Sequence, residues 1–123
     1  MQGSDPVIAI VDDDETVRRA LKRLVQSLSF RTTDFESGEA FLESIEMHAP
    51  NCALVDLHMP GLDGLQVLMA MRMRSLAIPT IVITANAQPE MRERCMGAGA
   101  AAYLQKPLDR DVVLSTIRAA MAE

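Results

Sequence analysis

Carboxylate, hydroxyl and ammonium groups follow four separate apolar runs of the sequence. They are Asp12, Asp13 and Asp14, then Asp56, Thr84 and Lys106. Two carboxylates about 4 Å apart repel by roughly 4 kcal/mol at an effective dielectric of 20, so a cluster of them requires a cation. Carboxylate oxygens suit Mg²⁺ or Mn²⁺, whereas zinc prefers His and Cys. Because an ammonium and a hydroxyl suit phosphate oxygens, the whole set indicates metal-assisted phosphate chemistry.

The apolar runs themselves are predicted to be buried strands. They are continuous and rich in β-branched residues, as in a parallel sheet whose two faces are both covered. The runs span residues 7–11, 53–55, 80–83 and 102–104, with a weaker, alternating run at 30–34. Apolar residues at three- and four-residue steps predict helices between them. The helix start signals are Ser37, Asp63, Pro89 and Asp109, and the fourth helix has stop signals at Gly97 and Gly99.

The strict alternation of strands and helices predicts a doubly wound α/β fold with five parallel strands and helices on both faces. Ligands bind such a sheet outside the carboxyl ends of its strands, where the strand order reverses. In the order 2-1-3-4-5, strands 1 and 3 flank that point, so Asp12, Asp13 and Asp56 are predicted to converge. The second strand ends in nothing comparable. Ala85, directly after Thr84, leaves space for a phosphate.

The length of 123 residues fits one domain, which we predict over residues 6–123 after a segment 1–5 that is disordered or left from expression. The net charge of −5, with no Lys/Arg block, argues against direct binding of nucleic acid. The chain has no apolar run of the roughly 18 to 20 residues that span a bilayer and no signal peptide, so we predict a cytoplasmic protein without membrane contact. Cys52 and Cys95 are expected to be reduced packing residues.

Four sequence motifs, in this order, resemble those of response-regulator receiver domains of two-component signalling. They are residues 11–14 (VDDD), 56–64 (DLHMPGLDG), 83–85 (ITA) and 103–107 (YLQKP). The resemblance extends from Val7 to the last helix, and within the family it is greatest to receivers that precede a LuxR-type helix-turn-helix. It implies a flavodoxin-like fold.

The resemblance also implies the roles of the site residues. Asp56 would accept a phosphoryl group from a sensor histidine kinase. Asp13 and Asp56 would ligate Mg²⁺ or Mn²⁺, with Asp12 assisting through water and the backbone carbonyl of His58 completing the contact. The His58 side chain is expected to be an ordinary loop histidine.

Recognition of the phosphorylated state is assigned by the same resemblance. Thr84, Ala85 and Lys106 would bind the phosphoryl group, and Tyr103 would be the switch aromatic, although a buried Tyr at a strand end is as often plain core. Lys106-Pro107 would be a cis peptide. The face formed by helix 4, strand 5 and helix 5 would change with phosphorylation and offers a homodimer interface. A C-terminal DNA-binding output domain, absent from this chain, would respond.

Two alternatives stay open at this point. Residues 12–16 (DDDET) fit the D-x-D-x-T motif of haloacid-dehalogenase-type phosphohydrolases, which would make Asp12 the nucleophile. That interpretation leaves Asp56 unexplained, and a later acidic pair is missing. The three aspartates could also merely cap helix 1. The basic residues of helix 1 are either a solvated face or a docking surface for a kinase; they are Arg18, Arg19, Lys22 and Arg23.

Overall fold

The computed structural model describes residues 5–122, and over these residues it contains five strands and five helices in strict alternation. The strands are β1 Val7–Val11, β2 Arg31–Phe35, β3 Cys52–Asp56, β4 Thr80–Thr84 and β5 Ala102–Gln105. The helices are α1 Glu15–Ser27, α2 Gly38–Ile45, α3 Gly64–Met73, α4 Pro89–Gly97 and α5 Arg110–Met121. All strand pairs are parallel in the order β2-β1-β3-β4-β5, which confirms the predicted fold.

The sheet separates two hydrophobic clusters, because successive side chains of a strand point to opposite faces. In β3, Ala53 and Val55 pack with α2 and α3, whereas Cys52 and Leu54 pack with α1 and α5. Both faces of this strand are therefore buried, which explains why its sequence is a continuous apolar run. Burial raises the pKa of the Cys52 thiol to about 11. Cys95 is likewise free and buried, but on the opposite face, as packing residues require.

Side-chain caps start four of the helices. Asp14, Ser37, Asp63 and Asp109 each accept a hydrogen bond from the backbone N–H three residues later, at 2.9 to 3.1 Å. Such caps satisfy backbone donors that the first helical turn leaves free. The fourth helix begins at Pro89 and ends at Gly97, as predicted.

Residues 1–4 and residue 123 lie outside the part of the chain that the structure describes. Of the predicted segment 1–5, only Asp5 is described, and its backbone carbonyl accepts two hydrogen bonds from the Arg31 guanidinium at 3.1 and 3.0 Å. Among residues 5–122, no helix has the length and apolar character needed to cross a membrane.

Candidate active site

Three carboxylates meet at the carboxyl ends of β1 and β3, the adjacent strands that flank the reversal of strand order. One oxygen from each of Asp12, Asp13 and Asp56 lies within 4.8 Å of the others. Asp12 is only 1% exposed and Asp56 only 8%, whereas Asp13 is open to solvent. The structure thus brings together the three residues that the sequence predicts to converge.

Lys106 reaches this cluster from the loop after β5. Its Nζ donates to Asp56 Oδ1 at 2.9 Å and to Asp12 Oδ2 at 3.2 Å. The Lys106-Pro107 peptide is cis, as the family resemblance implies. Burial lowers the pKa of Lys106, but its hydrogen bonds and charge interactions with the two carboxylates outweigh burial and raise the pKa overall. The lysine is therefore held in its charged form against the acidic cluster.

Asp56 is electrostatically unfavourable in its ionised form despite this lysine. Burial raises the pKa of its carboxyl group, the Lys106 hydrogen bond lowers it, and the charges of Asp12 and Asp13 raise it further. The net pKa is above the ordinary value. An additional cation beside Asp56 would relieve this cost, since an opposite charge within a few ångströms favours the carboxylate.

Thr84 is fully buried at the end of β4, one residue beyond Ile83, the register partner of Asp56. Its hydroxyl donates to the backbone carbonyl of Asn86 at 3.3 Å and accepts from the Asn86 N–H at 3.2 Å. The hydroxyl is therefore engaged with the β4–α4 loop. Ala85, which follows, is exposed.

Tyr103 lies on β5 with its ring packed in the cluster beneath α4. Its hydroxyl is buried, and no residue within 5–122 provides it with a hydrogen-bond partner. This placement agrees with an ordinary core residue and also with a switch residue in an inward position.

The side chain of His58 is exposed in the β3–α3 loop, as expected of a loop histidine.

Gly64, the first residue of α3, packs directly against the backbone of the acceptor strand. Asp63 and Gln66 do form a reciprocal capping box at the start of α3. However, a Cβ on Gly64 would lie 2.9 Å from the Asp56 carbonyl oxygen and 3.0 Å from the Leu57 Cα. The chain therefore needs glycine here because α3 begins against the backbone of Asp56.

One interpretation of the basic residues of α1, a solvated face, is wrong for Arg18. Its side chain is only 14% exposed, and its Nε donates to Asp34 Oδ2 at 3.1 Å. Its Nη1 donates to the backbone carbonyl of Asp12 at 2.8 Å. Asp34 lies on β2, one residue before its end, and is outside the cluster of Asp12, Asp13 and Asp56, but it binds the arginine that contacts the Asp12 backbone, a contact that the sequence did not predict. The sequence feature that could have indicated this contact is an acidic residue near the carboxyl end of β2, the strand that pairs with β1.

Comparison with known proteins decides the family. The model of the response regulator receiver domain family matches residues 8–118. This chain belongs to that family. The receiver domain is similar to NtrC, a DNA-binding transcriptional regulator of Escherichia coli strain K12, with 32% identity over 116 residues, or 94% of this chain and 25% of NtrC. It thus spans about a quarter of the length of that relative.

Solved structures of receiver domains have the same fold. The crystal structure of FixJ-N has a TM-score of 0.91 and 30% identity, covering 98% of this chain and 97% of that chain. A LuxR-family DNA-binding response regulator from Staphylococcus aureus has a TM-score of 0.87 and 27% identity, with coverages of 94% and 98%. These matches confirm the resemblance to receiver domains and its similarity to receivers of LuxR-type regulators. The phosphohydrolase alternative, with Asp12 as nucleophile, is not supported by them.

Proposed function

We propose that this receiver domain accepts a phosphoryl group on Asp56 from the phosphohistidine of a sensor histidine kinase. The observation that carries the proposal is the placement of the Asp56 carboxylate, which accepts from Lys106 Nζ at 2.9 Å and has an oxygen of Asp12 and one of Asp13 within 4.8 Å. In the transfer, an Asp56 oxygen forms a bond to phosphorus while the N–P bond breaks and the imidazole leaves. Hydrolysis of the acyl phosphate then releases inorganic phosphate.

The acidic cluster fits a divalent cation with oxygen ligands. We propose that Asp13 and Asp56 ligate Mg²⁺, or Mn²⁺ in its place, that Asp12 assists through a water, and that the His58 backbone carbonyl contributes. These hard oxygen donors, one of them exposed, suit a cation that keeps several waters. When bound, the cation neutralises charge on the phosphoryl oxygens and orients the phosphoryl group.

The remaining residues act on the phosphoryl group directly. Lys106 balances negative charge from the β5–α5 side, and its raised pKa keeps it protonated. The Thr84 hydroxyl would donate to a phosphoryl oxygen, for which it has to give up its hydrogen bond to the Asn86 carbonyl. Ala85 has no side chain beyond Cβ to obstruct the phosphoryl group.

The released β4–α4 loop and Tyr103 would carry the signal to the face formed by α4, β5 and α5. The acyl phosphate biases a two-state equilibrium only if it interacts differently with the two states, and Thr84 provides such a difference. Receiver domains act as signalling switches, and we propose that this one catalyses no reaction except its own phosphorylation and dephosphorylation. A homodimer through this face stays a prediction.

We propose a DNA-binding output domain as the responding partner, since NtrC and the Staphylococcus aureus relative are DNA-binding regulators. Direct binding of nucleic acid by this domain is not expected, because its net charge is −5. A cytoplasmic location remains a prediction from the sequence.

The test is covalent labelling with acetyl phosphate in the presence of Mg²⁺. Because phosphoryl transfer depends mainly on positioning and charge neutralisation, a small donor should suffice without a kinase. Intact-mass spectrometry should show one phosphoryl adduct, which should not form in Asp56→Asn or when Mg²⁺ is chelated beforehand. Hydroxylamine should remove the adduct once it has formed, as expected of an acyl phosphate. An adduct that persists in Asp56→Asn but disappears in Asp12→Asn would contradict the assignment.

A further inference from the structure

Arg18 links β2 to the residue that follows β1 beside the acidic cluster. From α1, its guanidinium donates to the Asp34 carboxylate on β2 and to the backbone carbonyl of Asp12 at the end of β1. The other oxygen of Asp34 accepts from Lys22 Nζ at 3.2 Å. Asp34 therefore balances the charge of Arg18 and fixes its guanidinium over the β1–α1 loop.

The carbonyl that Arg18 holds belongs to the peptide that leads into Asp13. Because a peptide unit is planar, the orientation of the Asp12 carbonyl also fixes the Asp13 N–H and the direction in which the chain enters Asp13. The rest of Asp12 is tied down as well: its N–H donates to the Phe35 carbonyl at 3.1 Å, and its Oδ1 accepts from the Asp14 N–H at 2.9 Å. The bond from Arg18 restrains the carbonyl of Asp12, which is the part of this residue that belongs to the Asp12-Asp13 peptide.

We infer that Arg18 is a positioning residue for the metal: it holds the Asp12-Asp13 peptide so that the exposed Asp13 carboxylate faces Asp12 and Asp56. The inference rests on the proposed function, because it concerns the affinity of the same acidic cluster for Mg²⁺. Lys22 offers a matched comparison, since it pairs with the same Asp34 from the same helix but makes no hydrogen bond to Asp12.

The experiment measures the Mg²⁺ dissociation constant by isothermal titration calorimetry for the wild type, Arg18→Lys and Lys22→Met. Lysine keeps the charge and the ion pair with Asp34, but its single ammonium lacks the fork that serves Asp34 and the Asp12 carbonyl together. We expect Arg18→Lys to weaken Mg²⁺ binding about tenfold, as outer-shell substitutions commonly do, and Lys22→Met to change it less than about twofold. The Asp13 amide resonance of the metal-free protein should move in Arg18→Lys alone.

The outcomes separate this inference from the function on which it rests. A wild type that binds no Mg²⁺ rejects both the metal site and the role of Arg18. A wild type that binds Mg²⁺, with Arg18→Lys binding equally well or losing no more affinity than Lys22→Met, rejects the role of Arg18 alone. If Arg18→Lys does not fold, Asp34→Asn replaces it, because loss of the Asp34 charge loosens Arg18; unchanged Mg²⁺ affinity there rejects the inference too.

Discussion

Lys106 Nζ donates to Asp56 Oδ1 at 2.9 Å, across fifty residues of sequence. Even with this partner, the Asp56 carboxyl has a raised pKa, because burial and the neighbouring aspartates outweigh the lysine. The ionised acceptor therefore destabilises the metal-free fold. Binding of a cation beside Asp56 would reduce this cost, because the added positive charge favours the ionised carboxylate.

Asp56→Asn should accordingly stabilise the metal-free protein at neutral pH. Since the folded pKa of Asp56 is raised, the wild type loses stability as the pH rises through that pKa, and the loss is absent at a pH where the carboxyl is protonated in both states. The advantage of Asp56→Asn should therefore shrink as the pH falls below the raised folded pKa of Asp56 toward the ordinary pKa of an aspartate. Urea unfolding with a chelator present measures it. An advantage that grows on acidification would contradict the raised pKa.

Mg²⁺ should stabilise the folded chain, because it binds the acidic cluster only when the fold assembles it. At one hundred times its dissociation constant the gain is about 2.7 kcal/mol. Thermal melting at neutral pH tests this, and Asp13→Ala should abolish the gain. Asp111→Ala serves as the control, since this exposed carboxylate on α5 lies outside the cluster and its loss should leave the Mg²⁺ effect intact.

Thr84→Ala should leave phosphorylation of Asp56 largely intact but weaken the structural change that phosphorylation causes at the face formed by α4, β5 and α5. The methyl side chain cannot donate to the phosphoryl group, so the adduct on Asp56 should still form, while its effect on the face of α4, β5 and α5 weakens. Amide shifts at that face, measured before and after phosphorylation, report the coupling. Thr84→Ser retains the hydroxyl and should behave like the wild type. Equal shifts in Thr84→Ala and the wild type would show that Thr84 is not the coupling residue.

Tyr103→Phe should raise the free energy of unfolding by about 1 kcal/mol, because it removes a buried hydroxyl that lacks a partner. The ring and its packing are retained, so the urea m-value should not change. A less stable variant would mean that the hydroxyl makes a hydrogen bond in solution. The inward ring position should also become more populated, which methyl and aromatic resonances around β5 can detect.

Gly64→Ala should destabilise the fold by about 1 to 3 kcal/mol, since its Cβ would be forced against the backbone of Asp56. Phosphorylation by acetyl phosphate should slow as the acceptor is displaced. Gly97→Ala is the matched control: it also lies in a helix, and a Cβ there meets nothing within 4 Å. This variant should be no less stable than the wild type, and up to about 1 kcal/mol more stable, because alanine favours the helix more than glycine does.

The sequence alone was sufficient for the features that depend on neighbours along the chain. The continuous apolar runs predicted strands buried on both faces, and the caps at Ser37, Asp63 and Asp109 are bonds to residues three positions away. Convergence of Asp12, Asp13 and Asp56 followed as well, because parallel strands end at one edge and the alternation of elements limits their order.

Only the tertiary structure decided the individual atomic contacts that join distant elements around the site. The bonds from Arg18 to Asp34 and to the Asp12 carbonyl depend on how α1 packs against β1 and β2. The sequence left open whether Arg18 belongs to a solvated face or to a docking surface, and it predicted neither bond. Likewise, the approach of Gly64 to the Asp56 carbonyl depends on where α3 starts relative to β3. Periodicity determines which face of an element is buried, but the positions of individual atoms across an interface follow from packing, which no local pattern encodes.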